Sequence, residues 1–458
     1  MKRPFTISCI FITIATSWFS CNKIETPQPD PGQADFSSLV VIGGDFLSGY
    51  QDGALFREGQ QKSVASLISQ QFQLAGGEKL NQSLLPEETN SHYYGIGLHP
   101  KKWENEYATR SYLWYQIDCE GVESLFPVSG LFGQDEINKR FGADFIQNQG
   151  ITDFSIPFAT LKDICTPSFG QNYLQGNKNP FYYRMASDPG TSTAFGDALA
   201  HNPTFIILWP GMEEIYNYAS VGSFQKTIAS PTEFENRLDS MLQLLTASGA
   251  KGVIANIPDL ERFPFYTLIP YNGANMEQGT ADSLNDIFEL AQMQHIHFSA
   301  GDNPFVIEDS SAQGGYRQLH NGEYILLTVP LDSMKCNYYG LLVNVIKDRY
   351  VLTSDEVNLI HTSINEYNTI IRNAADKYDL AFCDMNNFFD QLSSGLKWNG
   401  VDYNLDFISG GFISLDGYHP NQKGYALIAN EFIKEVNLKY DAVIPTVHCQ
   451  ECSGILFP

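Results

Sequence analysis

Basic residues are scarce in this sequence. The 458-residue chain carries 28 Lys and Arg against 52 Asp and Glu, a formal net charge of −24. A phosphate-binding surface must supply cations that displace counterions, so this balance excludes nucleic acid as a partner. Charge of either sign is limited to 17% of residues, while 43% are hydrophobic and 13% aromatic. A disordered chain has the opposite bias, so a sizeable packed core is expected. Cysteine is sparse too. Apart from Cys9 and Cys21 there are six, Cys119, Cys165, Cys336, Cys383, Cys449 and Cys452, too few over this length for a disulfide scaffold. His448-Cys449-x-x-Cys452 lacks the second pair that a structural zinc site needs, and a local disulfide or two unpaired thiols is expected there. No internal repeat is present. Beyond the first twenty residues no apolar run approaches the length of a membrane span, about 20 residues.

Those first residues read as a targeting segment. Lys2 and Arg3 precede an uncharged, mostly apolar stretch over residues 5–19, the pattern of a secretory signal. It ends in Ser17-Trp18-Phe19-Ser20-Cys21, which resembles a bacterial lipobox. That resemblance implies a signal peptide over 1–20 and a lipidated Cys21 whose acyl chains anchor the protein to a membrane. The expected location is the cell envelope, at the outer membrane or cell surface. Residues 21–36, with Thr26-Pro27-Gln28-Pro29-Asp30-Pro31-Gly32, form an extended linker.

From residue 37 to 458 apolar runs alternate with helical patterns. Leu39-Val40-Val41-Ile42, Phe205-Ile206-Ile207-Leu208, Val253-Ile254-Ala255-Asn256-Ile257 and Leu380-Ala381-Phe382-Cys383-Asp384 read as strands buried on both faces. Ser230-Pro231-Thr232-Glu233 and Thr353-x-x-Glu356 have helix-start spacing. Alternation of this kind predicts an α/β fold on a parallel sheet. Two stretches, near 84–140 and 259–350, read as insertions. The first holds Tyr93, Tyr94, Trp103, Tyr107, Tyr112, Trp114 and Tyr115; such rings stack on sugars or pack a subdomain, and packing is the expectation.

Ser414-Leu415-Asp416-Gly417-Tyr418-His419-Pro420-Asn421 precedes the last helical pattern. Asp-x-x-His lets the Asp416 carboxylate accept the Nδ1 proton of His419 and leaves Nε2 free as a general base. The same residues also suit a helix-capping turn. His295-x-His297 has a spacing seen in metal sites but no third ligand, and His92, His99, His201, His320 and His361 lack motif context.

The His419 block, followed by Gly424-Tyr425-x-x-Ile428-Ala429, resembles the final block of the SGNH/GDSL hydrolase family, and residues 249–259 and Gly301-Asp302-Asn303-Pro304-Phe305 look like its bacterial lipoprotein branch. Gly43-Gly44-Asp45-Phe46-Leu47-Ser48-Gly49-Tyr50 lies where that family has its nucleophile block, and Trp209-Pro210-Gly211-Met212-Glu213-Glu214 where it has Gly-x-Asn-Asp. The resemblance implies a flavodoxin-like three-layer α/β/α fold, a Ser–His–Asp site, ester substrates (lipid, acyl-sugar or small acyl) and no metal or other cofactor. The chain departs from the pattern at several positions. Anchored on Gly49-Tyr50, the match puts Asp45 at the serine; anchored on Gly44-Asp45, it puts Phe46 there. The nearest hydroxyl is Ser48. Glu213 replaces the oxyanion Asn, and Phe158 replaces a glycine whose N–H faces the oxyanion. Three readings follow. The first is an ester hydrolase of weakened activity using Ser48, His419 and Asp416. The second is a non-catalytic envelope lipoprotein that binds a small acyl or glycan ligand near Gly44, Phe158 and Glu213. In the third, Asp45 is a carboxylate nucleophile, or Asp45, Glu213, Glu214, Asp416 and His419 hold a divalent cation.

Overall fold

The computed structural model describes residues 28–87, 94–98, 106–133, 136, 150–171, 179–341 and 344–458. The signal peptide, Cys21, Tyr93, Trp103, His92 and His99 lie outside the described residues. Five strands form the central sheet: β1 (Leu39–Gly43), β2 (Asp153–Ser155), β3 (Phe205–Leu208), β4 (Lys251–Ala255) and β5 (Ala381–Cys383). Their order is β5-β4-β3-β1-β2 and every pairing is parallel, with Val41 opposite Asp153, Leu39 opposite Phe205, Phe205 opposite Lys251 and Ala381 opposite Val253. The order reverses at β1, which leaves a crevice beyond the carboxyl ends of β1 and β3.

Six helices matter for the site and its support: α1 (Asp45–Ser48), α2 (Val64–Leu74), α3 (Met212–Ala219), α4 (Pro231–Leu245), α5 (Ser354–Lys377) and α6 (Gln422–Tyr440). α2 packs with α6, and α4 with α5, on the two faces of the sheet. This is the flavodoxin-like α/β/α arrangement expected from the sequence. The helix starts follow their local chemistry. Ser230 Oγ accepts from Glu233 N at 3.2 Å with Pro231 in the first turn. Glu356 Oε2 accepts from Thr353 N at 2.8 Å to complete a capping box. Phe234 of α4 and Tyr367 of α5 stack at 3.9 Å between ring centroids, both fully buried.

Strand ends differ from the sequence expectation. β4 begins and ends two residues earlier than 253–257, and Asn256 N still donates to Cys383 O at 3.3 Å just beyond its end. β5 stops before Asp384, whose side chain instead caps the helix Met385–Ser393. The short edge strand β2 carries no apolar run to announce it; buried Asp153 accepts from Ser155 N and Gln82 Nε2.

The first insertion contains a hairpin of Tyr112–Ile117 with Glu123–Val128 and a small sheet of Gly97–Leu98, Glu106–Ala108 and Leu131–Gly133. The packing expected for its aromatic rings holds at Tyr107, which is buried, but not at Trp114 and Tyr115, which are 49% and 50% exposed. The second insertion has apolar clusters of its own, one around Ile307, Ile325 and Ile346, another around Leu284, Phe288 and Phe298. A Cys119–Cys336 disulfide joins the two insertions across 217 residues of sequence. Cys449 and Cys452 are unpaired and buried, so of the two alternatives for this pair the unpaired thiols are found. Among the described residues no helix is long and apolar enough to cross a membrane.

Two outcomes are expected. Phe234→Ala should lower the unfolding free energy by about 3–5 kcal/mol, the cost of truncating a packed aromatic, measured by urea denaturation. Peptide mapping without reductant should recover a Cys119–Cys336 crosslink, while Cys449 and Cys452 are alkylated only after unfolding.

Candidate active site

The site forms where two loops leave the sheet. β1 runs into Gly44, and α1 starts at once with Asp45 on its first turn; Gly49, in the left-handed region at φ 82°, closes the turn. The second loop, residues 414–420, leads into α6, whose N-cap Asn421 accepts from Lys423 N and Gly424 N. Ser414 N donates to His419 O at 2.8 Å, folding this loop back on itself.

Asp416 is engaged from all sides. Its Oδ1 accepts from Tyr418 N and His419 N at 2.9 and 2.8 Å, and its Oδ2 from His419 Nδ1 at 2.9 Å and Gly53 N at 2.8 Å. Burial alone would raise the Asp416 carboxyl, but the charge of His419 and these donors bring it below its ordinary value. On the other side of the imidazole, His419 Nε2 stands 3.2 Å from Asp45 Oδ2. Both groups are sealed from solvent, His419 at 1% and Asp45 at 2% exposure. Burial opposes the imidazolium, yet Asp416 and Asp45 together push its pKa up to about 9. At neutral pH His419 is therefore a cation held between two carboxylates, without the lone pair that a general base needs.

Asp45 also occupies the ground where an oxyanion would sit. Its Oδ1 accepts from Phe158 N at 2.8 Å, and its own N–H donates to Glu213 Oε1 at 2.9 Å. Phe158 lies in the left-handed region at φ 66°, an uncommon position for an aromatic residue. Glu213 lies so close to Gly44 that a Cβ there would fall 1.6 Å from Glu213 Oε1, so any other residue would have to displace the Glu213 carboxyl. Burial, then the charges of Asp45 and Glu214, hold the Glu213 carboxyl well above its usual range. Neighbouring Glu214 Oε1 accepts from Leu161 N at 2.7 Å, and burial pushes its carboxyl up to about 7.

The remaining candidates separate clearly. Phe46 packs behind the imidazole, 5.3 Å from Trp209, 5.4 Å from Tyr418 and 5.6 Å from His419, so of the two it is Asp45 that faces His419 Nε2. Ser48, the candidate nucleophile, donates its Oγ to Asp45 O at 2.9 Å and lines a separate small cavity with Asp153 and Arg184. The hydroxyl is spent on its own helical turn, and Asp45, not Ser48, is the partner of His419 Nε2. His295 Nε2 pairs with Tyr316 O at 2.8 Å. Among the described residues no group of three or more His, Cys, Asp or Glu is arranged to hold a metal ion.

Sequence reasoning passed over the brace around Asp52. Its Oδ1 accepts from Leu415 N, its N–H donates to Ser414 Oγ, and its Oδ2 pairs with Arg110 Nε at 2.9 Å. This ties the first insertion to the histidine loop. The nearby Gly49 and Gly53 marked a turn, but nothing local to Asp52 names Arg110 as its partner.

A cavity of about 600 Å³ opens above His419. Tyr50, Phe158 and Tyr216 make its floor beside the imidazole, while Phe126 and Pro127 of the first insertion and residues 327–333 of the second form walls. Asp45 lies beneath this floor.

Residues 143–432 match the model of the GDSL-like Lipase/Acylhydrolase family. That is well over half of the chain, and the protein belongs to this family. The matched segment holds Phe158, Glu213, Asp416 and His419; the Gly44-Asp45 turn precedes it. Two solved structures are similar. One is a putative GDSL-like lipase from Parabacteroides merdae ATCC 43184, at 10% identity and a TM-score of 0.34, covering 90% of this chain and 100% of that one. The other is LAE5, an alpha/beta hydrolase enzyme from the metagenome of Lake Arreo, Spain, at 9% identity and a TM-score of 0.35, covering 88% and 96%. Comparison with curated proteins gives no match.

The charged triad has a consequence for stability. A histidine raised from 6.5 to about 9 contributes stability that is complete below pH 6.5 and is lost as pH rises through 9. Glu214, raised from 4.5 to about 7, loses its contribution in the same direction over the lower window. Urea denaturation should therefore show the chain weakening by about 3 kcal/mol or more between pH 6.5 and 9, and Asp45→Asn should flatten that dependence.

Proposed function

We propose that this family member binds a ligand in the acylhydrolase cleft without hydrolysing it. The observation that carries the reading is the double engagement of Asp45, with Oδ2 on His419 Nε2 and Oδ1 on Phe158 N. Serine-based acyl transfer needs a neutral imidazole to take a hydroxyl proton and free N–H donors to receive the oxyanion. Here one carboxylate satisfies both, and Glu213 takes the remaining backbone N–H. Losing a single oxyanion donor costs ~10²–10³ in rate, and the hydroxyl nucleophile is absent from the position as well. The cavity above the triad remains large enough for a small acyl or glycan ligand, within the range of about 300–1,000 Å³ common for ligand sites. We further propose that the protein is exported and held at the cell envelope by a lipid on Cys21. The Cys119–Cys336 disulfide supports an oxidising compartment.

The test is a panel of aryl and short-chain acyl esters. The unaltered protein should stay at background. Asp45→Ser combined with Glu213→Asn removes the second acid from His419 Nε2, frees Phe158 N–H and lowers the His419 pKa, and should yield measurable turnover that His419→Ala abolishes. Turnover by the unaltered protein would sink the binding reading. Its loss in Ser48→Ala would then mark a relocated hydroxyl nucleophile, and its loss in both Asp45→Asn and His419→Ala carboxylate chemistry.

A further inference from the structure

The cavity does not end at its mouth. Phe126, one of its wall residues, sits on the hairpin strand Glu123–Val128 directly opposite Trp114 of the strand Tyr112–Ile117. Cross-strand partners share a face of the hairpin, so the Trp114 ring continues the wall outward. Tyr112, two residues before Trp114 on the same face, sets its ring at 64° to the indole with centroids 6.3 Å apart. Trp114 is 49% and Phe126 41% exposed. Other rings are exposed elsewhere, Tyr115, Phe224 and Tyr338 among them, but Trp114 and Phe126 form a cross-strand pair at the rim of the cavity, and an exposed apolar patch beside a cavity marks an interaction surface. The hairpin is also held in place. Its turn carries Cys119, disulfide-bonded to Cys336 at the end of the helix Leu331–Cys336, and Lys335 on that helix pairs with Asp118 and Glu120 of the same turn. The helix contributes Leu331, Asp332 and Ser333 to the opposite wall.

The lining says what fits. Ser111, Ser129, Thr328 and Asp332 face the cavity, and their side chains take no hydrogen-bond partner among the described residues. A plain acyl chain laid over them would leave these groups desolvated and unpaired, at a cost. No Lys or Arg lines the space, while Asp332 and Asp416 do, so a carboxylate or phosphate ligand meets no cation free to receive it. Both ring nitrogens of the His419 imidazolium are already occupied. The chemistry left is neutral, with apolar faces for the rings and hydroxyls for the Ser, Thr and Asp side chains. Sugar rings have that character.

We propose that the ligand is a neutral oligosaccharide, with one end in the cavity above His419 and the following residues stacked along Phe126, Trp114 and Tyr112. The proposal rests on the binding reading above and names its ligand class. It gives the two insertions, clasped by the Cys119–Cys336 disulfide, the task of holding the aromatic platform at a fixed angle to the cavity.

The experiment titrates the purified protein with xylohexaose, maltohexaose, cellohexaose and chitohexaose, read by tryptophan fluorescence and calorimetry. Palmitate and phosphatidylcholine vesicles serve as the lipid arm. At least one hexasaccharide should bind and quench fluorescence. Trp114→Ala and Phe126→Ala should each weaken it by about tenfold or more, with the thermal midpoint unmoved because both side chains are largely exposed. Three results overturn the proposal: no hexasaccharide binds, binding survives Trp114→Ala undiminished, or only palmitate or the vesicles bind. Ester turnover by the unaltered protein alongside Trp114-dependent sugar binding would overturn the non-hydrolytic reading alone and leave the platform standing.

Discussion

A histidine cation enclosed by two carboxylates sets the terms for everything around it. Isolated, any one of these charges would be very costly to bury; together, with each oxygen and nitrogen given a partner, they are tolerated. Asp416 is supplied with backbone N–H groups from its own loop and from Gly53, and Asp45 with the N–H of Phe158. The loops that bring those donors must be held to within a hydrogen-bond length. The reversal of strand order at β1 creates the place, and the Asp52–Arg110 brace fixes the histidine loop from the far side. Breaking any one link leaves a charge stranded in a dry site, so the neighbouring structure is constrained by electrostatics more than by shape.

The insertions respond to a different constraint. They are not needed to close the sheet, whose core runs from β1 through α6, and the second has apolar clusters of its own. Their shared function is to build walls above a floor that the core provides. A hairpin with exposed rings has little to hold it against the body by packing alone, and the disulfide together with the Lys335 ion pairs provides the attachment. Surface ion pairs are weak singly, so the covalent link dominates.

Much of the fold was legible because it is written locally. β1 and β3 are continuous apolar runs, and the box at Thr353 and Glu356 announces α5 within four residues. β2 was not visible as a strand, since three residues that include a buried aspartate lack the signature of a core strand. The site was half legible. Asp-x-x-His carries its geometry in its spacing, but two alignments of the nucleophile block were equally permitted by sequence. Only the three-dimensional turn shows Asp45 reaching His419 while Phe46 faces the aromatic cluster behind it. Ser48 misled because the presence of a hydroxyl says nothing of its direction, and this one is turned onto its own helix. The Cys119–Cys336 link, made across 217 residues, had no local signal at all.

Asp45, Phe158 and Glu213 form one linked unit around the imidazole. With Asp416 on one side and Asp45 on the other, His419 faces two acids that push its pKa up to about 9. The Asp45 side chain needs a donor for its second oxygen, and it has the N–H of Phe158, carried in a left-handed conformation that costs on the order of 1–2 kcal/mol. Its phenyl ring, 5.1 Å from Tyr50 and 6.1 Å from Tyr216, roofs the pair and lowers the local dielectric, which strengthens the attraction it covers. Glu213 completes the set. Its carboxyl, pushed upward by burial and by Asp45, accepts the Asp45 N–H. Its carboxyl oxygen gives the buried N–H of Asp45 an acceptor. Each of these contacts makes the next one favourable, and together they hold Asp45 against the imidazole in a site closed to solvent.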